Sequence, residues 1–579
     1  MAAFFLARKG SGIDIDAAKR VFAKRSLGAL NVFEVGGFEL LLYKKRLVDT
    51  ENFFQTEQGR VFAVGTFAYK GNSYAESLKI ALEDFLSGSL DTDEFSGNFV
   101  LIFYINGALT LLCDAMNMTH IFSDRERSFM TTSFLAAAAV KKHSVNKTAV
   151  YEKLLYGYLT APDTLSNEIV RLCRKEKRFD GVEFVKNDYK YSPRTSSASR
   201  EEMVREQCTQ IENYFESVKA LCTEYGAEQG LSGGYDSRLI YAAACKALGN
   251  LTSAHTHNTK DVHNREMALA ENIAKVHDTA LRKIPTKYIT DYEPQEIDEI
   301  LRTNVYYFDG RNSENIGVFS ATHTPWYKEQ TTGDARLTFS GVGGEIYRNF
   351  YHTSAKTINF KKWLKAHVYT IRAPYLFDKE TFETIQSSII AKMENEFGIK
   401  LSGRTDRFAA KLYFAQNRIP NALACVASAN NTQSFYLAPF TESALVDKAY
   451  DMYRFAGLYG EFEGEMIKTL DAEVIKCPSS YGYDMTRMPL MQKIKWGLRS
   501  ILPSDVYIYK AAHDKANEKE VRKLQKLLAK SAYFSKAYEY FKNEFPNINT
   551  AYFEAGNVEI NNTVFTVCTL YEMSTNFQG

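Results

Sequence analysis

Ser232-Gly233-Gly234-Tyr235-Asp236-Ser237 brings two hydroxyls, two glycines and a carboxylate into six residues, and helical spacing follows as far as Gly249-Asn250. Such a set suits an anion. The glycines let backbone N–H groups approach it, Ser232 and Ser237 can donate to its oxygens, and the helix adds free N–H groups and the positive end of its dipole. Asp236 would repel a bare phosphate, so its role here is to hold a Mg2+ bridging to the phosphates, and the loop expects a metal-nucleotide. The alternative is a Gly-rich turn that merely caps a helix. No Gly-Lys-Ser/Thr follows, so this is not a Walker loop, and the dinucleotide pattern G-x-G-x-x-G is also absent.

A second stretch, RLTFSGVGGEIYRNFY, runs from a short strand into Ser340-Gly341-Val342-Gly343-Gly344-Glu345, where a carboxylate again follows small residues. Farther on, FYLAPFTESALVD carries Pro439-Phe440-Thr441-Glu442. His255 and His257 in AHTHN share one face of a strand, but only Asp261 and His263 follow as donors, so lining a nucleotide pocket suits them better than zinc. Arg265 and Glu266, at the start of the next helix, read equally well as pocket or cap residues.

These loops need elements to hold them. Up to about residue 190 short aromatic and aliphatic runs alternate with Gly, Asn and Asp, which reads as strands and hairpins. In NFVLIFYINGALTLLCD the pair Asn106-Gly107 predicts a tight hairpin turn. The small, polar stretch SPRTSSASREEM over 192–204 predicts a domain boundary, giving one domain over 1–195 and another over 200–579. In the second, helices alternate with short strands such as RLTFSG, the order of a parallel sheet covered by helices, although AEQG before the first loop is a poor apolar strand. From about 500 the chain reads as amphipathic helix, best explained by one face packing on the body.

Composition excludes several classes. Apolar residues are 45% and charged residues 24% of 579, so real cores are expected and disorder is not. Lys and Arg total 71 against 69 for Asp and Glu, a formal charge of +2 that favours neither nucleic acid nor a membrane surface. Eight cysteines without a C-x-x-C pair suggest reduced thiols, and no signal peptide or long apolar run is evident, so a cytoplasmic protein is expected.

The loop at 232–237 resembles the pyrophosphate loop of ATP pyrophosphatases, a group that includes asparagine synthetase, β-lactam synthetase and lasso peptide cyclases. The 340–345 segment resembles the S-G-x-G-x-D segment of the asparagine synthetase-like branch, and Pro439-Phe440 its P-F-L-D segment. FSGNFVLIFYINGALTLLCDAMNMTHIF, with Asp114 at a strand end, is similar to the glutaminase-like domain of those enzymes. The resemblance implies an α+β N-terminal glutaminase-like (Ntn-type) β-sandwich, then an α/β parallel-sheet ATP-pyrophosphatase domain of the adenine nucleotide alpha hydrolase-like kind. It implies ATP and Mg2+, with Asp236 and Glu345 as metal ligands and catalytic residues. Leu231, Ser232, Gly233, Gly234, Ser237, Gly341, Gly343 and Gly344 would surround the nucleotide.

The pattern also departs from the family. The nucleophilic cysteine that follows the initiator Met is here Ala2, so no glutaminase is expected. Val342 stands where relatives carry a glutamate or tyrosine tied to activating the amine, and an isopropyl group takes no proton. The position of the transition-state lysine falls near Ser479, with Lys476 as the candidate substitute. The expected activity is therefore an AMP-forming carbon–nitrogen ligase joining a carboxylate to an amine not drawn from glutamine. Lasso-type macrolactam closure, with a partner protease or leader-binding protein, and small-molecule or sugar amide formation are its two versions. A catalytically silent nucleotide- or partner-binding relative is the alternative from another class. A tRNA-modifying thiolase is disfavoured, because the chain has neither a basic patch nor paired cysteines.

Overall fold

A computed structural model describes residues 2–181, 183–186, 197–258, 262–285, 292–311, 325–370, 373–483, 485, 488–513, 518–551 and 560–576. Twelve strands come first: β1 Ala3–Arg8, β2 Leu30–Val35, β3 Phe38–Tyr43, β4 Phe53–Gln55, β5 Gly59–Tyr69, β6 Phe95–Ile105, β7 Ala108–Cys113, β8 Phe122–Asp124, β9 Phe129–Thr131, β10 Ile169–Arg171, β11 Glu176–Phe179 and β12 Phe184–Lys186. They form two six-stranded antiparallel sheets, ordered β10-β8-β9-β1-β3-β2 and β12-β11-β7-β6-β5-β4. Asn106 and Gly107 both take positive φ between β6 and β7, as the hairpin reading expected.

The alternation along each strand explains the layering. Phe4, Leu6, Leu40 and Leu42 of one sheet meet Phe62, Val64, Val100 and Ile102 of the other in a core between the sheets. The residues between them, such as Phe5, Leu41, Val61 and Phe103, point outward into a second core. There helices cover them: Phe22 stacks on Tyr43 at 4.5 Å and Phe85 on Phe103 at 4.1 Å. The stretch to 190 was read as strands and hairpins alone, yet it also holds the helices Ile15–Ala23, Tyr74–Ser87, Phe134–Val140 and Lys147–Tyr156. Lys147–Tyr156 gives little helical signal because it is buried nearly all round, Glu152 and Lys153 included.

The later part holds β13 Ala227–Gly230, β14 Ser253–Asn258, β15 Leu281–Pro285, β16 Leu337–Phe339, the small antiparallel pair β17 Thr357–Asn359 and β18 Arg404–Asp406, and β19 Phe435–Leu437. A five-stranded, wholly parallel sheet has the order β15-β14-β13-β16-β19. AEQG is thus its central strand, and the reason is nonlocal. Glu228 is fully buried but accepts from Thr338 on β16 and pairs with His255 Nδ1 on β14 at 2.6 Å, while Gln229 donates to the Ser237 carbonyl. Polar side chains with partners on both flanking strands can sit where apolar ones are usual.

One apolar cluster extends from Ala2 to Met573 and joins the outer faces of the sandwich to the parallel sheet and its helices. Buried polar links cross with it: Ser133 Oγ to Asp309 Oδ1 at 2.6 Å, His120 Nε2 to the Pro420 carbonyl at 2.6 Å and Lys45 Nζ to Asn431 Oδ1 at 3.0 Å. Of the expected boundary stretch, residues 192–196 lie outside the described residues, as does Asp261, and the rest leads into the helix Arg200–Ser217. Among the described residues no helix is long and apolar enough to cross a membrane.

Candidate functional site

Both glycine-rich loops leave the C-terminal edge of the parallel sheet from adjacent strands, β13 and β16. Crevices outside that edge are where open parallel sheets bind ligands. After Gly230 the chain turns through Leu231, whose N–H donates to the His255 carbonyl at 2.8 Å, and enters the helix Tyr235–Leu248. That helix has no side-chain cap at its N-terminus, so no side chain occupies its first N–H groups.

The first loop is tightly packed. A Cβ on Gly233 would lie 2.5 Å from Leu269 Cδ1 and 3.0 Å from the Ser480 nitrogen, so a larger residue there would force Leu269 to move. Its N–H donates to Glu266 Oε2 at 3.0 Å, and its carbonyl accepts from Ser480 N–H at 3.2 Å. Glu266 thus caps the loop, a choice the sequence left open. Ser232 Oγ and Ser237 Oγ lie 2.8 Å apart and also receive the N–H groups of Gly234 and Ser232. An incoming anion can claim these donors only by exchange with those hydroxyls and with Glu266.

The second loop is shaped by the first. A Cβ on Gly344 would fall 2.0 Å from Asp236 Oδ1, and one on Gly341 would fall 2.9 Å from the Asp236 carbonyl carbon and the Ser237 nitrogen. Gly343 has φ of +95°, a left-handed conformation natural to glycine. All three glycines allow the two loops to meet at the Asp236 carboxylate.

Arg348 occupies the centre of the charge. Its Nη2 donates to Asp236 Oδ1 and Oδ2 at 2.8 and 2.7 Å, its Nε lies 3.3 Å from Glu463 Oε2, and Glu345 Oε1 is 3.9 Å away. The guanidinium side chain is 4% exposed and lies over the Tyr459 ring, 5.6 Å from its centroid. Glu463, from the helix Glu461–Leu470, is fully buried. Burial first and then the Asp236 charge raise the Glu345 carboxyl above the usual range, and the same two causes hold Glu463 well above it. Lys411 donates to the Ile346 carbonyl, and burial together with the Arg348 charge brings its ammonium down to about 7. The three carboxylates are therefore offset mainly by the Arg348 guanidinium, with a weakened Lys411 ammonium and the Arg418 charge acting on Glu345.

This donor set fits a hard divalent cation in part. Asp236 and Glu345 offer carboxylate oxygens, the ligands Mg2+ takes, and the mutual repulsion that raises Glu345 is what a cation would relieve. Arg348 already meets both Asp236 oxygens, so a metal would have to share that carboxylate, whose remaining lone pairs allow it. Among the described residues no group of three or more His, Cys, Asp or Glu could hold a metal by itself. Further oxygens would come from the ligand.

Other candidates fall away from this centre. Lys476 Nζ pairs with Glu473 at 2.6 Å and its side chain is 61% exposed. A solvated surface pair, not the loop, is its partner. Its segment nevertheless runs beside the loop, because Arg238 donates to the carbonyls of Val474, Cys477 and Pro478. Ser479 is buried and donates to the Tyr483 carbonyl. Val342 packs against the core and its N–H donates to Ser340 Oγ at 3.3 Å. His255 is committed to Glu228 and His257 to the Tyr327 hydroxyl, so neither is arranged as a zinc ligand. Ala2 is buried at the start of β1 with its N–H on the Tyr43 carbonyl.

Arg348, Glu463 and Lys411 were not singled out in the sequence. Arg348 lies three residues after Glu345, a spacing that places charges together on a helical turn and could have marked it. Glu463 and Lys411 arrive from distant segments without any local signal. A groove of about 720 Å3 opens beside Tyr235, lined by Gly464, Met485 and charged side chains including Arg200 and Glu461. Tyr235 of the helix's first turn is the one loop-side residue in its lining, while Ser232 of the loop is itself exposed. No family model matches the chain, and no curated protein matches it.

Proposed function

We propose that this chain is an ATP-dependent, AMP-forming ligase of the asparagine synthetase-like kind that makes an amide from a carboxylate and an amine not released from glutamine. The observation that carries the reading is the meeting of two glycine-rich loops from adjacent parallel strands at one carboxylate, Asp236, through positions that tolerate no Cβ. A loop rich in hydroxyls and N–H donors at a helix N-terminus, with acids beside it, suits a metal-bound polyphosphate.

In this reading the helix N-terminus and the hydroxyls of Ser232 and Ser237 hold the β- and γ-phosphates, and Glu266 gives up Gly233 N–H to them. Asp236 and Glu345 would hold Mg2+, which when bound neutralises phosphate charge. A substrate carboxylate oxygen bonds to the α-phosphorus as the bond to pyrophosphate breaks. An amine then attacks the acyl carbon, AMP leaves, and one proton is lost from the amine. Val342 accepts no proton, and Ala2 supplies no thiolate, so neither glutamine hydrolysis nor the amine activation of the namesake enzymes is assigned here. Arg348 holds Asp236 in place and offsets part of its charge.

The test is ATP–pyrophosphate exchange with Mg2+ against pools of amino acids, peptides and sugar acids, with Asp236→Ala as the blank. Exchange with one pool that disappears in the variant supports the reading and names the acid. Equal exchange in Asp236→Ala refutes it. A second reading, a catalytically silent nucleotide- or partner-binding relative, is favoured by the two-oxygen grip of Arg348 on Asp236 and by Glu266 on Gly233 N–H. ATP binding without exchange in any pool would select it.

A further inference from the structure

Among the described residues the most extended run of exposed apolar side chains lies on the helix Leu490–Ile501 and its successor Ser504–His513. Leu490, Met491 and Ile501 are 73%, 75% and 69% exposed, and Ile494, Leu498, Leu502, Val506 and Tyr509 are exposed beside them. At 100° per residue the five apolar side chains of the first helix fall within an arc of about 100°. Lys493 lies on one side of that arc and Lys495 and Arg499 on the other. All three are exposed, as is Lys510 on the second helix.

The opposite face of the first helix is anchored. Trp496 stacks on His352 at 4.4 Å and on Tyr459 at 4.8 Å, and the Ser500 carbonyl accepts from Ser354 Oγ at 2.8 Å. Lys495 and Arg499 lean over the Trp496 ring at 5.8 and 5.4 Å, and neither they, Lys493 nor Lys510 pairs with a carboxylate among the described residues. The acid on this surface, Asp505, is taken by Lys362 at 2.9 Å. The outward stripe is therefore apolar at its centre, cationic along its edges and held rigidly from behind.

We propose that this face docks on an anionic membrane surface, with the apolar arc entering the headgroup region and the flanking cations meeting lipid phosphates. The charge pattern favours this occupant. A second copy of the chain would bring the same cations against each other, whereas an anionic bilayer complements both the centre and the edges. Aliphatic stems of Lys and Arg reach along such a boundary with their charges in the headgroups. The inference stands apart from the reaction proposed above, since it uses none of the loop residues.

The experiment is co-sedimentation of the full-length chain with vesicles of equimolar phosphatidylcholine and phosphatidylglycerol, against pure phosphatidylcholine. The wild type is expected to sediment with the anionic vesicles only. Ile494→Asp combined with Leu498→Asp should abolish sedimentation, and Lys493→Glu with Lys495→Glu should weaken it by about tenfold or more. All four positions are exposed, so circular dichroism and melting should match the wild type. Wild-type protein left in the supernatant overturns the proposal, and so does sedimentation unchanged by the Asp pair. Twice the chain mass in light scattering, reduced to one by the Asp pair and without vesicle binding, would make this face a self-association surface instead.

Discussion

Arg348→Met tests whether the acids around Asp236 depend on a single countercharge. Methionine preserves much of the apolar stem but removes the guanidinium that touches Asp236 through two contacts below 3 Å and Glu463 at 3.3 Å. Arg348 and Glu463 are both buried, and breaking such a pair from one side costs about 3–5 kcal/mol. The loss should depend on pH, with a definite sign. Glu463 already sits above its ordinary value of 4.5 and rises further without Arg348. The folded variant then holds a proton that the unfolded chain releases above that value, so its stability falls as pH rises. Urea midpoints at pH 5.5 and pH 8 should therefore show a larger deficit at pH 8. Adding Glu463→Gln to Arg348→Met should recover about half of the deficit or more, because the stranded charge is gone. An equal deficit at both pH values, or no recovery with Glu463→Gln, would refute the claim that Arg348 acts as the countercharge.

Gly344→Ala puts a methyl group onto Asp236 Oδ1, so pyrophosphate exchange should fall by about a hundredfold or more while far-UV circular dichroism stays unchanged; near-normal exchange would mean that the two loops need not meet at this carboxylate. Lys476→Ala removes one member of an exposed pair, and both urea midpoint and exchange should remain close to wild type, within about 0.5 kcal/mol in stability. A tenfold loss of exchange there would return Lys476 to the transition-state role. Lys411 is held down to about 7 by burial, so between that pH and its ordinary value of 10.5 the unfolded chain binds the extra proton and the folded state gains stability as pH rises. Lys411→Met should flatten that part of the profile relative to wild type, and an unchanged slope in paired denaturation curves would contradict the burial argument.

The parts legible in the sequence were those fixed by local geometry. Asn106-Gly107 supplies both positive φ angles of its hairpin by residue type alone, and Gly343 takes a left-handed φ of +95° natural to glycine. The central strand Ala227–Gly230 was hard to read because Glu228 and Gln229 gain their right to be buried from His255, Thr338 and the Ser237 carbonyl, all supplied by other elements. Asp236 and Glu345 were found from their glycine context, but their charge balance was not, since Glu463 and Lys411 enter from segments more than a helix away. Lys476 shows the limit of reading by position: Arg238 holds the backbone of its segment beside the loop, while its flexible stem carries the ammonium to Glu473. The amphipathic helix expected from about 500 onward leaves out Leu490–Ile501, whose apolar face is exposed.

The continuous core from Ala2 to Met573 leaves no plane along which the two halves can swing apart. Opening such a hinge would part Tyr74 from Phe435, whose rings lie 5.0 Å apart, and strand Asp309, His120 and Lys45 away from their partners. The edge of the parallel sheet already meets solvent at Ser232, beside the groove that Tyr235 lines. Because the core is shared, the sandwich works as a wall of the later half. Excising it would expose apolar surface of that half which the shared core now covers.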